Sequence, residues 1–165
     1  MQTETINHRL AKFIWVSLIF FALTLIQGAI ITQESVRFFI HEGPGRIISL
    51  VHTHVGLMGW KSLLLMATIY YLVPIFSGKS IVWPKLIEWI FWVWVISLAA
   101  ACVLMLIAGI VGGNAFADGL GREEIKSIVS AYAMPGGILC TISAIVGLMF
   151  VVQIFVTLFR GSKVA

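Results

Sequence analysis

Two histidines and a lysine stand within VHTHVGLMGWK, residues Val51 to Lys61. Imidazole is a common metal ligand, so the spacing of the two rings decides what they can do together. On a helix, residues two apart point about 200° from each other, so His52 and His54 cannot hold one metal ion between them. Each serves its own face. Following the face of His52 by helical steps meets Gly56, Gly59, Leu63 and Tyr70, so the imidazole is followed by two turns without a side chain. A bare flank of this kind suits a flat macrocycle running down from its axial ligand. His52, as ligand to a haem iron, with Gly56 and Gly59 beneath it, is therefore a candidate cofactor site. The same two glycines equally suit a close helix crossing, with His52 as a polar residue near the end of its helix, and both readings stand.

The opposite face carries His54, Met58, Lys61, Leu65, Thr68 and Leu72. Ionisable groups at membrane depth are costly and usually face a bundle interior, a cavity or a partner. A buried Lys61 would make this face a polar site for a quinol, a small anion or a neighbouring subunit. A Lys61 near the membrane boundary would instead snorkel, its amine reaching the interface. No acidic partner for it is evident, since Glu88 opens the third apolar stretch at the other membrane side. Cys102 and Cys140 lie among apolar neighbours in different stretches and read as small packing residues, with no disulfide framework. Zinc-ligand spacings, a phosphate loop, a nucleophile elbow and carboxylate runs across the spans are all missing from the sequence, which disfavours a hydrolase or a proton-driven transporter.

The elements that must position these residues are set by composition. Of 165 residues, 60% are hydrophobic and 11% charged, and the mean hydropathy is +1.04, a balance far from that of a soluble domain. Four stretches reach the roughly 20 residues that cross a bilayer: Ala11 to Thr32, Ile47 to Val73, Pro84 to Val111 and Pro135 to Phe159. The expected fold is all-α, a single integral membrane four-helix bundle over residues 1–165. The first stretch is too long for a signal-peptide core and reads as a retained helix. SVRFFIHEGPGR reads as a long loop, and SGKSIVW as a short hairpin connection. Pro84 suits a first helical turn. A break at Pro135-Gly136-Gly137 is expected to separate a short surface helix, Glu123 to Ala133, from the fourth span. Gly109 with Gly113, and Ser143 with Gly147, allow close approach of helices.

With four spans both termini share a side. That side carries Arg9, Lys12, Lys79, Lys85, Arg160 and Lys163, against Arg37, Arg46, Arg122 and Lys126 on the other, so the positive-inside rule puts both termini in the cytoplasm and the chain in the inner membrane. Trp15, Trp83 and Trp89 fit an aromatic belt on the terminal side. The net charge of +4 is accounted for by this topology, and no basic stripe suggests a nucleic acid partner.

The run from Arg46 through VHTHVGLMGW to YYLVP, ending at Pro74, resembles the second helix of the catalytic subunit of haem-copper oxidases, most of all the cbb3-type oxidases and the nitric oxide reductases. LIQGAI in the first stretch, AGIVGG at the end of the third and the Pro-Gly-Gly opening of the fourth extend the likeness over most of the chain. The resemblance implies one arc of the subunit I fold. It assigns the low-spin haem ligand to His52, followed by Thr53, while short relatives with a similar His-x-His leave His54 as the alternative ligand. The family's catalytic subunit contains three such arcs and this chain is long enough for one. It lacks the family's second intramembrane histidine cluster and the late helix that supplies the opposite axial ligand, so a complete oxygen or nitric oxide reductase is not expected from this chain alone.

A low-spin haem needs two strong axial ligands. His52 from two protomers, His52 with Met134 or another local ligand, or a five-coordinate haem with an open site would each answer this, and a homodimer buries the flanks of a single arc most simply. Arg46 is placed to pair with a haem propionate through its two-bond fork, or to anchor the helix at the interface. The expected function is that of a membrane b-type haem protein, transferring electrons to or from a quinol or redox partner or binding a diatomic gas. The alternatives are a haem-free interaction subunit of an oxidase or reductase complex and a four-helix dihaem cytochrome b, the latter weakened because it needs four membrane histidines.

Overall fold

The computed structural model describes residues 2–41 and 43–163. These residues are almost wholly helical: α1 (Gln2–Ile31), α2 (Glu34–His41), a 3-10 turn (Gly43–Gly45), α3 (Arg46–His54), a π-helical segment (Val55–Ser62), α4 (Leu63–Ser77), α5 (Leu86–Ala117) and α6 (Arg122–Arg160). Four helical stretches are long and apolar enough to cross a membrane, Arg9–Ile31, Gly43–Ser77, Leu86–Ala117 and Arg122–Arg160. In hydrocarbon every backbone N–H and C=O must be paired within the protein, which is why such runs fold as helices. The chain is an all-α integral membrane protein.

The core is densest towards the end that carries both termini. Phe13, Tyr70, Ile87 and Ile90 are completely or almost completely buried there, and Leu63 and Leu98 continue the core towards mid-depth. Phe13 meets Phe91 at 4.7 Å and Tyr70 at 6.1 Å between ring centroids, and Tyr70 meets Phe150 edge-on at 5.0 Å, so one aromatic cluster joins all four spans. At the opposite end α5 is held by short elements. A side chain on Gly113 would run into the Phe39 ring of α2, one on Gly112 into Pro44 and Val129, and one on Gly109 into Ile48 of α3. Gly109 and Gly113 thus do permit the close approach their spacing suggested. Ser143 and Gly147 do the same for α5 and α6: Ser143 Oγ lies 2.7 Å from Ser97 Oγ, and Gly147 leaves room for the Trp94 ring.

Three boundaries differ from expectation, each for a local reason. SVRFFIHEGPGR is not a plain loop: Glu34–His41 forms α2, which buries Ile40 and supplies Phe39 to the Gly113 face. Pro135 does not break the fourth span. α6 runs unbroken from Arg122 to Arg160 because Gly136, next to the proline, seats α6 against Ala101, Leu104 and Met105 of α5, and this packing holds the helix through the missing hydrogen bond. Pro84 stands before α5 rather than in its first turn, inside a turn closed by Leu86 N–H donating to the Trp83 carbonyl at 2.8 Å.

At the other side of the same connection, α4 ends at Gly78. Its φ of 63° is left-handed, and its N–H donates to the Pro74 carbonyl at 3.0 Å, a common helix stop. The connection is then stitched to the end of α6 by Ser80 N–H, which donates to the Ser162 carbonyl at 2.9 Å.

Candidate functional site

The second span carries the site. In α3, Val51 is buried, His52 half-buried, Thr53 exposed and His54 half-buried. Buried positions then recur every fourth residue, Val51, Val55, Gly59 and Leu63. In an α-helix a spacing of four drifts by about 40° at each step. The wider turn of the π segment takes up that drift and keeps the four residues on one face. Ser62 Oγ donates to the Leu57 carbonyl at 2.9 Å within the segment, and the Trp94 indole N–H donates to the Met58 carbonyl at 3.1 Å, tying α5 to it.

The face of His52, Gly56 and Gly59 lies against α1. A Cβ on Gly59 would stand 2.5 Å from the Phe20 ring, one on Gly56 3.2 Å from Thr24 Cγ2, and one on Gly28 3.4 Å from His52 Cε1. Gly56 and Gly59 are therefore the seat of a close helix crossing, the second of the two readings their spacing allowed. The flank is filled by α1 and offers no bare surface to a macrocycle. His52 itself is different. Its ring rests over Gly28, it is only half-buried, and its Nδ1 is buried without a hydrogen-bond partner. Gln27 Oε1, beside Gly28 on α1, is buried and unpartnered as well. The ring is thus accessible in part, while its buried Nδ1 lacks the hydrogen-bond partner that the second ring nitrogen of a metal-ligating histidine ordinarily has.

The remaining predicted residues fall elsewhere. His54 Nδ1 lies 2.7 Å from the Leu50 carbonyl; donation of its N–H there leaves Nε2 as the free nitrogen. Arg46 is exposed at the first position of α3, six residues from His52, with no ion pair among the described residues. Met134 is 68% exposed on α6, which packs chiefly on α5 and α4. The structure does not bring it to His52. Lys61 is exposed, its amine 5.8 Å from the Trp60 ring centroid. Among the described residues no three of His, Cys, Asp and Glu converge into a metal-binding group. Both cysteines are free.

Two polar assemblies were not foreseen. Near the terminal end, Tyr70 O–H donates to Gln153 Oε1 at 2.7 Å, and Gln153 Nε2 donates to the Val82 and Trp83 carbonyls at 2.8 and 3.1 Å. Thr157 Oγ1 accepts from Val82 N–H at 3.2 Å. Trp83 has a φ of 49°, unusual for a residue with a side chain, and Gln153 helps to hold it there. The second assembly is a clasp between α1 and α5. Glu88 pairs with Lys12 and, at 3.7 Å, with Arg9, whose Nη1 also donates to the Pro84 carbonyl at 3.0 Å. A lone Gln within an apolar run was the only sequence signal for the first, and the position of Glu88 near the terminal-side cations was the signal for the second.

The described residues thus make an all-helical chain with four stretches able to cross a membrane and a histidine at a glycine-lined crossing of the first two, the class of an integral membrane helical subunit. Comparison with known proteins names the family. Residues 2–146 match the model of the cytochrome c and quinol oxidase polypeptide I family, and the chain belongs to it. It is 25% identical over 164 residues to cytochrome c oxidase subunit 1 of Rhodobacter capsulatus, an alignment covering 91% of this chain and 29% of that protein. It is 26% identical over 92 residues to a cytochrome c oxidase subunit 1 homolog of Agrobacterium tumefaciens (strain T37), covering 55% of this chain and 16% of the relative. The chain thus spans less than a third of the length of these relatives.

Proposed function

We propose that the chain binds haem b through His52 and moves electrons between a quinol or other redox partner and an acceptor, or holds a diatomic gas such as oxygen or nitric oxide where the sixth position stays open. The observation that carries this is the imidazole of His52, at the position where the family carries its low-spin haem ligand, half-exposed and with a buried, unpaired Nδ1. The chemistry a bound haem supplies is one-electron transfer or ligation of a gas. The protein's part is to fix the imidazole over Gly28 and, through Arg46 at the end of α3, to offer a guanidinium to a propionate. His52 is the histidine that the α1 crossing presents, so a six-coordinate haem draws its second ligand from outside the described residues of one protomer, and we take a second copy, as a homodimer, for the simplest source. We place both termini in the cytoplasm and the chain in the inner membrane on the distribution of Lys and Arg.

The covered glycine flank favours a second reading, a haem-free interaction subunit of a respiratory oxidase or reductase. Colour separates the two. Absorption spectra of the purified protein, oxidised, reduced and treated with carbon monoxide, are combined with pyridine haemochrome quantification per chain. Sharp reduced bands indifferent to carbon monoxide identify a six-coordinate electron carrier, and a Soret band that shifts identifies an open site. A colourless protein after expression with ample haem rejects the first reading in favour of the second.

A further inference from the structure

Lys61 is a cation on the outside of the bundle at the depth where a membrane is least hospitable to one. Its depth follows from the crossing of α1 with the second span. The Trp60 ring packs tilted against Phe21, 4.1 Å between centroids, and Gly59 meets Phe20, so Lys61 stands about level with Phe21. Phe21 is nine residues from Lys12 on α1 and twelve from Gln33, two residues past the end of that helix. At the α-helical rise these are roughly 14 and 18 Å, which puts Lys61 near the middle of a hydrocarbon layer about 30 Å thick. A four-carbon stem does not span that distance, so snorkelling does not account for this residue.

The surroundings do not neutralise it. Lys61 makes no ion pair or hydrogen bond among the described residues, and the Trp60 ring is its one cation–π neighbour there. Exposed Leu57, Leu64, Leu65 and Thr68 flank it on the same outward surface. An unpaired ammonium facing lipid at mid-depth is expensive, and the usual resolution is a partner group within the membrane.

We infer that the Lys61 face of the second span receives a transmembrane helix from a different polypeptide region, one that carries a carboxylate at its midplane. Charge rules out a second copy of this chain as the occupant. Of the seven acidic residues, Glu4 and Glu42 fall in the sequence outside the four membrane-crossing stretches, Glu34, Glu88, Asp118, Glu123 and Glu124 sit towards the ends of the spans or between them, and Glu88 is already engaged by Arg9 and Lys12. Two copies related by an axis along the membrane normal keep every residue at its own depth, so they would offer Lys61 only apolar groups or another Lys61. The inference is independent of haem binding, because His52 faces α1 and Lys61 faces outward.

The test is association in lipid vesicles between the purified, dye-labelled protein and model transmembrane peptides, read by energy transfer. The peptides are Leu-rich helices carrying Glu at the centre, Gln at the centre, Leu throughout, or Glu displaced by two turns. The central-Glu peptide is expected to bind roughly threefold to thirtyfold more tightly than the all-Leu peptide, the range for polar contacts between membrane helices. The displaced Glu should lose that gain. Lys61→Leu should abolish the preference and Lys61→Arg should keep it. Equal binding of all four peptides, or a Glu preference that survives Lys61→Leu, overturns the proposal. So does self-association of differently labelled copies that Lys61→Leu weakens, since that places a second copy on this face.

Discussion

The second span holds two polar sites on its buried side, and they are built on opposite plans. At Tyr70 every polar group is answered: the phenol by Gln153, the Gln153 amide by two backbone carbonyls, the Val82 amide by Thr157. At His52 the opposite holds: the ring's Nδ1 is buried and unanswered, and so is Oε1 of Gln27, the residue before Gly28 on α1. Buried polar groups are nearly always paired, so a saturated network reads as architecture, whereas a pair of orphans reads as a place prepared for something else. The helix backbones also differ. α4 around Tyr70 is regular, while the stretch below His52 is π-helical, a feature often found at functional sites.

The sharpest way to break this comparison is to remove the two histidines in turn. His52→Ala is expected to abolish haem retention, and His54→Ala to leave the spectrum nearly unchanged; pyridine haemochrome per chain measures both. Swapped outcomes would transfer the ligand role to His54, whose Nδ1 is already set by Leu50.

Packing at the crossing comes next. Gly59→Val forces a branched side chain into the Phe20 ring and should cost about 1–3 kcal/mol in thermal or denaturant unfolding in detergent. Gly56→Ala, meeting Thr24 at 3.2 Å, should cost clearly less. Equal and negligible effects would mean that α1 does not sit on this flank and would restore the bare surface suggested by the glycine spacing.

The saturated network predicts non-additivity. Gln153→Leu leaves the Tyr70 hydroxyl and two carbonyls without partners and should destabilise by about 1–3 kcal/mol with haem content per folded chain unchanged. Adding Tyr70→Phe to it should cost little more, because the hydroxyl it removes has already lost its partner. A full additive penalty would show that Tyr70 is held by something other than Gln153. The smallest effect is reserved for the orphan. Gln27→Leu in the haem-free protein should leave stability unchanged or raise it by up to about 1 kcal/mol, since an unanswered carbonyl is exchanged for an apolar group of similar size. A clear loss of stability would mean that Gln27 is paired.

Much of the architecture was legible in the sequence. Length and hydropathy of the apolar runs dictate four membrane helices, and the Arg46-to-Pro74 motif points to the family that the comparisons show. The misreadings share one cause. Local rules break the helix at Pro135 and leave the Gly-Pro-Gly segment a loop, whereas a neighbouring helix decides otherwise: α5 carries α6 past its proline and the end of α5 gives α2 a surface to fold on. At Gly56 and Gly59, where local rules leave two readings open, α1 decides between them. The sequence identified His52 as the residue to watch, but it could not show that the ring's nitrogen would be left without a partner. That fact depends on how the ring lies over Gly28, which only the crossing brings near.

The π segment gives the second span one further property. It acts as a screw with a local change of pitch, packing more chain into the same height between α3 and α4. Removing a single residue between Leu57 and Trp60 would let that stretch return to the ordinary pitch while the helices on either side keep their phase. The same deletion made in the middle of α4 would turn everything beyond it by about 100° and drive Tyr70 or Pro74 off its neighbours. The span is thus tolerant of shortening at its least regular point, and intolerant where it is most regular.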